Sequence, residues 1–198
     1  MINNIIPIVI SLSVVSVFLA IFIDFILYGE KDTVKKSKRV IVATGSMIGF
    51  YFVYYLVLRF RLGNFDHNAH ILIVFLGTAM VVTGAVTNIL GRLQLKGNWA
   101  NHIKVYEDHT LINHGVYKLV RHPLYASIML MLLGGSLVYR NWLSAALTAF
   151  IFIPFMYYRA KQEEALLREE FAEYENYIKN TGMFFPKLRG GADGTGAV

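Results

Sequence analysis

The sequence contains no cysteine, and only 16% of its 198 residues are charged. Without cysteine the chain has no disulfides, no thiolate metal ligands and no cysteine nucleophile. Soluble domains carry about 25% charged residues, whereas here 56% of all residues are apolar. This balance excludes a disordered chain and argues against a soluble globular domain. The apolar residues are instead gathered into long runs.

Five apolar runs reach or approach the roughly 20 residues that a helix needs to cross a bilayer. They cover residues 5–28, 40–58, 71–90, 124–139 and 142–158. The last two runs are short, and only Arg140 and Asn141 separate them, which predicts a tight helical hairpin. We therefore predict an all-α integral membrane protein with five transmembrane helices.

The basic residues lie mostly on one side of these spans. Sixteen of the 19 Lys and Arg residues follow the first, third or fifth span. Because cytoplasmic loops collect positive charge, we predict that the N-terminus lies outside and that the connector and the C-terminus lie in the cytoplasm. The net charge of +6 is explained by this orientation and by lipid headgroups as partners, and we expect no binding to nucleic acid.

Two segments outside the spans hold most of the polar chemistry. One is the cytoplasmic connector at 91–123, which contains four of the six histidines. Their spacings of seven, five and eight residues do not place pairs on one helical face, and we expect no metal site. The other segment follows the fifth span at 159–180, where apolar residues at every third or fourth position predict a C-terminal amphipathic helix that ends near Gly182.

Four side chains, from these two segments and from the start of the fourth span, are expected at one end of the helical hairpin. Arg159 and Glu163 lie four residues apart, so they share one helix face. His122 and Tyr125 begin the fourth span on the same side of the membrane. The sequence therefore predicts a membrane-level pocket where the two pairs meet.

Simpler interpretations of the same residues stay open at this point. Arg121 is also suited to anchoring the chain at the membrane surface, and His122 to capping the helix that follows it. The Glu163–Glu164 pair is also typical of a solvated helix face.

A series of short motifs runs in order through residues 97–186. It includes His109-x-Leu111-Ile112, Gly115-Val116-Tyr117, Arg121-His122-Pro123-x-Tyr125, Arg159-x3-Glu163-Glu164 and Glu173-Tyr174-x-x-Tyr177. In this order and spacing the series resembles the isoprenylcysteine carboxyl methyltransferase and phospholipid methyltransferase superfamily of integral membrane enzymes. With this resemblance we divide the chain into a three-helix scaffold at 1–91 and a catalytic region at 92–189. The tail at 190–198 is rich in Gly and other small residues, and we expect it to be flexible.

The resemblance implies methyl transfer from S-adenosylmethionine, with S-adenosylhomocysteine as the product and no metal. By motif position, Arg159, Glu163 and His122 are the implied catalytic residues, and Arg159 is also the residue that binds the methyl acceptor. The implied cofactor-binding residues are His102, His109, Thr110, Leu111, Ile112, Gly115, Tyr117, His122, Pro123, Leu124, Tyr125 and Glu163.

The methyl acceptor is less well determined than the reaction. Arg159 favours a carboxylate of the isoprenylcysteine type, which is already ionised at neutral pH. Members of the superfamily also act on phospholipid amines and small thiols, and an amine would need Glu163, Glu164 or His122 as a base. Two more remote alternatives are an NADPH-dependent enzyme similar to the sterol reductases and a membrane scaffold without enzymatic activity.

Overall fold

The structure is a computed structural model that describes residues 2–28, 34–38, 41–64, 71–96, 103–106 and 110–187. The helices are α1 (Ile2–Tyr28), α2 (Ile41–Arg59), α3 (Ile71–Leu95), α4 (Val116–Leu119), α5 (Pro123–Val138), α6 (Trp142–Leu147), α7 (Ile153–Glu170) and α8 (Tyr174–Asn180). The strands are β1 (Val34–Lys38) and β2 (Ile103–Tyr106), and a π-helical turn at Thr148–Phe152 joins α6 to α7. The predicted tail at 190–198 lies outside the described residues.

Helices form at all five predicted apolar runs. Three stretches are long and apolar enough to cross a membrane, namely Ile5–Leu27, Ile71–Leu95 and Trp142–Glu170. The apolar stretches Ser46–Arg59 and Pro123–Val138 are shorter. Large side chains such as Phe18 and Phe22 of α1 are 62% exposed, which suits a surface that meets lipid. An integral membrane fold is thus confirmed, while the count of five spans and their orientation stay predictions.

A two-stranded ribbon departs from the all-α prediction. Strands β1 and β2 pair antiparallel, with Ser37 opposite Lys104 and Lys38 opposite Ile103. The pairing ties the loop after α1 to the connector after α3. Each strand has at most five residues, and so short a segment gives no clear period in the sequence.

The C-terminal amphipathic segment is also arranged differently from its prediction. Helix α7 continues the last apolar run without a break as far as Glu170, because 161–170 contains neither Gly nor Pro and is rich in strong helix formers. The chain becomes extended at Phe171, and α8 begins three residues later. Helix α8 ends at Asn180, so Gly182 is not its cap but forms a parallel bridge with Val120.

Helices α3 and α5 approach each other closely along a line of glycines. On α3, Gly77, Gly84 and Gly91 are seven residues apart and face α5. A Cβ atom at Gly77 would lie only 2.6 Å from the carbonyl oxygen of Gly134 on α5, and one at Gly84 would lie 2.7 Å from that of Ser127. Small residues are what permit such close backbone contact between membrane helices.

Buried polar groups fasten α2 to the helical hairpin. Asn141 caps α6 by accepting from the Ser144 amide at 2.7 Å, and its own amide nitrogen donates to the carbonyl oxygen of Leu62 after α2 at 2.8 Å. The Tyr54 hydroxyl of α2 donates to the carbonyl oxygen of Leu132 at 2.7 Å. Arg140 turns the chain with a positive φ of 51°. The predicted hairpin is therefore present and is braced from α2.

A π-helical turn interrupts the long final helix next to a proline. Pro154 has no N–H to donate to the preceding turn, and the π-helical residues end two positions before it. Phe152 within this turn is buried against the core residues Met129, Leu132 and Met156. An extra residue in a turn changes the face on which later side chains lie, and such turns are frequent near functional sites.

We predict that Gly84→Ala lowers the stability of the protein by about 1–3 kcal/mol, because its Cβ would press against Met131 and the Ser127 carbonyl. Thermal unfolding of the detergent-purified protein measures this loss. Gly49→Ala in α2 is the matched control, since nothing lies within 4 Å of its Cβ position. Equal effects at the two glycines would contradict the close α3–α5 packing.

Candidate functional site

The candidate site begins at the first turn of α5. Pro123 is the first residue of this helix, where its missing N–H needs no partner. His122 precedes it at the N-cap position, as one interpretation of the sequence allowed, but its side chain makes no capping hydrogen bond. The imidazole is instead buried, with 5% of the residue exposed, and it meets acidic residues of α7.

The backbone in front of α5 is held by the chain that follows α8. The amide of Arg121 donates to the carbonyl oxygen of Gly182 at 2.8 Å, and that of His122 donates to the carbonyl oxygen of Met183 at 3.1 Å. These bonds accompany the parallel bridge between Val120 and Gly182. Two distant parts of the sequence therefore fix the point from which His122 projects.

Glu164 of α7 joins Arg121 and His122 through one oxygen atom. Its Oε1 accepts from Arg121 Nε at 2.9 Å and lies 3.3 Å from His122 Nε2. Glu164 is completely buried and lies beyond the apolar part of its helix. Although burial raises the pKa of Glu164, the hydrogen bonds from His122 and Arg121 outweigh it and hold that pKa below its ordinary value. Glu164 is therefore an ionised carboxylate that holds Arg121 and His122 in place.

Arg121 is not the exposed membrane anchor that the sequence also allowed. Its guanidinium reaches the C-terminal segment, where Nη1 donates to the carbonyl oxygens of Thr181 and Ile178. The side chain is 8% exposed. Likewise the Glu163–Glu164 pair is not simply a solvated face, because only Glu163 reaches solvent, with 35% of its side chain exposed.

The Tyr125 hydroxyl connects Glu163 and Arg159, the two candidate site residues of α7. It donates to Glu163 Oε2 at 2.9 Å and accepts from Arg159 Nε at 3.1 Å. The Tyr125 ring stacks on the His122 ring, with centroids 5.5 Å apart and planes 6° apart. His122 Nδ1 lies 3.8 Å from Glu163 Oε2. We call these four residues, His122, Tyr125, Arg159 and Glu163, the α5–α7 cluster.

Helix α2 contributes a contact that the sequence did not indicate. Arg159 is buried, and its Nη1 lies 3.8 Å from the sulfur atom of Met47. Phe50 and Tyr51 of α2 pack against Phe152, which lies about two turns before Arg159. Helix α2, which carries no recognisable motif, thus packs against one side of the α5–α7 cluster.

The connector residues occupy several different environments. Tyr117 in α4 is buried, and its burial together with the negative charge of Glu163 raises the pKa of its hydroxyl. Gly115 has a φ of +58°, and a Cβ there would collide with the side chain of Gln94. The side chain of Leu124 packs beneath Gly91 of α3.

The remaining implied cofactor residues lie on the approach to α4 or outside the described chain. Thr110 is exposed, and Leu111 and Ile112 are half-buried in irregular chain. His102 and His109 lie outside the described residues. Among the described residues, no group of three or more His, Asp or Glu side chains is placed to hold a metal ion.

Comparison with known proteins finds one matching family model and several similar proteins. Residues 75–169 match the family described as "Isoprenylcysteine carboxyl methyltransferase (ICMT) family". A probable protein-S-isoprenylcysteine O-methyltransferase from Oryza sativa subsp. indica is 33% identical over 115 residues, which are 57% of this chain and 60% of that protein. The protein-S-isoprenylcysteine O-methyltransferase of Saccharomyces cerevisiae is 33% identical over 115 residues, 56% of this chain and 48% of that protein.

A solved structure shares the fold. It is described as the eukaryotic intramembrane Ras methyltransferase ICMT, and it superposes with a TM-score of 0.56 and 20% sequence identity. The match covers 77% of this chain and 55% of that one. The matches to the rice, yeast and solved proteins thus span about half to three fifths of those proteins' length.

We predict that Glu164→Gln lowers the stability of the protein by about 3 kcal/mol at neutral pH, because it removes the buried charge that pairs with Arg121 and His122. The pKa of Glu164 is lower in the folded state than its ordinary 4.5. Its contribution to stability is therefore complete above about pH 4.5 and is lost as the pH falls through the lower folded value.

Unfolding temperatures of the wild type and the variant across pH 3 to 7, about the range in which carboxylates titrate, test this prediction. The difference between the two proteins should shrink towards the acid end. Glu175→Gln is the control, because the Glu175–Arg168 pair is solvent-exposed and should contribute at most about 1 kcal/mol. A difference that grows on acidification contradicts the assignment.

Proposed function

We propose that the protein is a membrane methyltransferase, because its residues 75–169 match the isoprenylcysteine carboxyl methyltransferase family. It transfers the methyl group of S-adenosylmethionine to the carboxylate of a prenylated cysteine. The rice and yeast relatives are named for this reaction. The observation that carries the proposal is the Tyr125 hydroxyl, which joins an acid, Glu163, to a buried arginine, Arg159.

The Glu163 end of the cluster suits a positively charged cofactor. Its carboxylate is partly exposed, so a ligand can reach it, and the stacked rings of His122 and Tyr125 lie beside it. Carboxylates and aromatic faces both attract cations such as a sulfonium. Oε2 of Glu164, which is buried without a hydrogen-bond partner in the described part of the chain, offers a further acceptor for a bound donor group.

S-adenosylmethionine, when bound, supplies a methyl group that its positively charged sulfur has already activated. The task left to the chain is then to hold that methyl group and the acceptor in line, and such positioning supplies much of the acceleration in displacement reactions. Glu163 holds the cationic end, while Tyr125 fixes Glu163 relative to Arg159. The contacts implied for the connector residues, His102 and His109 among them, remain part of this proposal.

The Arg159 end of the cluster suits a carboxylate acceptor. A carboxylate is ionised at neutral pH and needs no base. Arginine presents a planar fork of donors that can hold one or both carboxylate oxygens. Nη1 of Arg159 contacts the sulfur of Met47 at 3.8 Å, and a thioether sulfur is a weak hydrogen-bond acceptor. A carboxylate oxygen that replaces the sulfur gives Arg159 a stronger hydrogen bond.

The same geometry bears on the other acceptors. A phospholipid amine must lose a proton before it attacks, and the pKa of Glu164 is held low by His122 and Arg121, which makes Glu164 a poor base. Glu163 already accepts the Tyr125 hydroxyl. The carboxylate is therefore preferred over an amine, and a small thiol is the other alternative.

We further propose that the site faces the cytoplasm and that a lipophilic acceptor enters from the bilayer. The basic residues after the first, third and fifth predicted spans support this orientation. The first 91 residues would then serve as scaffold and 92–189 as the catalytic region, although the family match begins within α3 at residue 75.

We predict that S-adenosylhomocysteine binds the purified protein and that His122→Ala and Glu163→Ala each weaken this binding by about tenfold or more, since hydrogen bonds to charged groups are worth about 1.5–3 kcal/mol. Titration calorimetry measures the dissociation constants. Glu175→Ala, an exposed acid of α8, is the control. A folded wild type that binds NADPH instead, or neither ligand, refutes the methyltransferase proposal.

We predict that Arg159→Ala raises the KM for a prenylated cysteine with a free carboxylate by about tenfold or more while the KM for S-adenosylmethionine changes little. Initial-rate kinetics with radiolabelled methyl donor give both constants. Arg168→Ala, at an exposed arginine of the same helix, should leave both constants unchanged. Methylation of phosphatidylethanolamine or of a small thiol in preference to the prenylated cysteine contradicts the acceptor assignment.

A further inference from the structure

A chain of buried polar side chains crosses three helices away from the α5–α7 cluster. Arg92 of α3 donates from Nη1 to Oδ2 of Asp24 on α1 at 2.6 Å, and from Nε to Oδ1 of Asn88 at 2.8 Å. The amide nitrogen of Asn88 donates to Oγ of Ser127 on α5 at 2.8 Å. All four residues are at most 8% exposed. We call this set the α1–α3–α5 chain.

The direction of every bond in this chain is determined by its chemistry. A guanidinium only donates, so the Asn88 oxygen must face Arg92 and the Asn88 amide nitrogen must face Ser127. The Ser127 hydroxyl accepts that bond and in turn donates to the carbonyl oxygen of Leu124 at 2.7 Å. Reversing one group would leave a buried donor facing a donor. The chain therefore has a single arrangement that runs from Asp24 to α5.

The chain ends on the turn of α5 that carries the functional residues. Ser127 and the Leu124 carbonyl lie in the first turns of this helix, and the Leu124 side chain packs beneath Gly91 of α3. His122 and Tyr125 project from the same turn. The position of that turn decides whether the two rings meet Glu163 and Arg159 at the distances observed.

Stability alone does not account for charged residues at Asp24 and Arg92. A buried ion pair costs much of its attraction in lost hydration, and apolar residues often replace such pairs without loss of stability. In a membrane protein, ionisable residues within helices usually have a functional reason. The Asp24–Arg92 pair forms the end of the α1–α3–α5 chain that lies farthest from α5, and every hydrogen bond in that chain has a fixed donor and acceptor.

We propose that Asp24 is a positioning residue that acts through Arg92, Asn88 and Ser127 to hold the first turn of α5 in its cofactor-binding position. This inference rests on the proposed function, since cofactor binding is its readout. It gives the first helix, which precedes the family-matched residues 75–169, a defined role in the reaction. Asp24 bonds to Arg92, which is not part of the α5–α7 cluster, so the α1–α3–α5 chain is the route by which Asp24 would act.

A double-mutant cycle on the dissociation constant of S-adenosylhomocysteine tests the proposal. We expect Asp24→Asn and Ser127→Ala each to weaken binding by about three- to tenfold, because residues along a coupled network change binding by about 0.5–2 kcal/mol. The double variant should bind S-adenosylhomocysteine no more weakly than the single variant with the lower affinity, since both substitutions interrupt the same α1–α3–α5 chain. Asp24→Glu, which keeps the charge, should recover most of the affinity.

Two controls separate positioning from a general loss of structure. Ser16→Ala removes a local hydrogen bond on the same helix as Asp24 and should leave the dissociation constant unchanged. All variants are measured well below their unfolding temperatures. If Asp24→Asn fails to fold, an Asn88→Leu variant is used instead, because it interrupts the hydrogen bonds of the α1–α3–α5 chain at its centre.

The outcomes distinguish this proposal from the proposed function. Effects of Asp24→Asn and Ser127→Ala that simply add, or wild-type affinity in both Asp24→Asn and Asn88→Leu, overturn the positioning role while leaving the methyltransferase intact. A folded wild type that does not bind S-adenosylhomocysteine overturns both. A non-additive loss with recovery in Asp24→Glu supports the positioning role.

Discussion

One buried carboxylate oxygen holds the candidate site together. Oε1 of Glu164 meets both Arg121 Nε and His122 Nε2, and Arg121 extends the contact to one carbonyl oxygen within α8 and one just after it. Separating a buried charge from its partners is strongly destabilising, so α7, the start of α5 and the C-terminal segment have little freedom to move apart. Glu163 and Tyr125 are close neighbours of this point in sequence, and their contact follows from it.

Much of this arrangement could be predicted because it depends on local spacing. The apolar runs located the helices, and Arg140 with Asn141 located the hairpin turn. The four-residue spacing of Arg159 and Glu163 placed both on the face that meets Tyr125. Their roles in catalysis are still a proposal, but their proximity is a consequence of helix geometry.

The features that sequence reasoning missed depend on partners far along the chain. Adjacent residues on a helix point about 100° apart, so only one of Glu163 and Glu164 can face the core, and the packing of Arg121 and the C-terminal segment decides which. The β1–β2 ribbon pairs residues about 70 positions apart, for which no local pattern exists. Met47 beside Arg159 belongs to a helix without motifs, and no signal in the sequence marks it.

The bonds from the Arg121 and His122 amides to Gly182 and Met183 also set an order of events during synthesis. A chain made from its N-terminus has all its apolar helices before the residues that complete the turn in front of α5 have left the ribosome. Up to that point the backbone donors beneath His122 lack their partners. The half-made protein can therefore have its apolar helices in place and still lack the turn from which His122 projects.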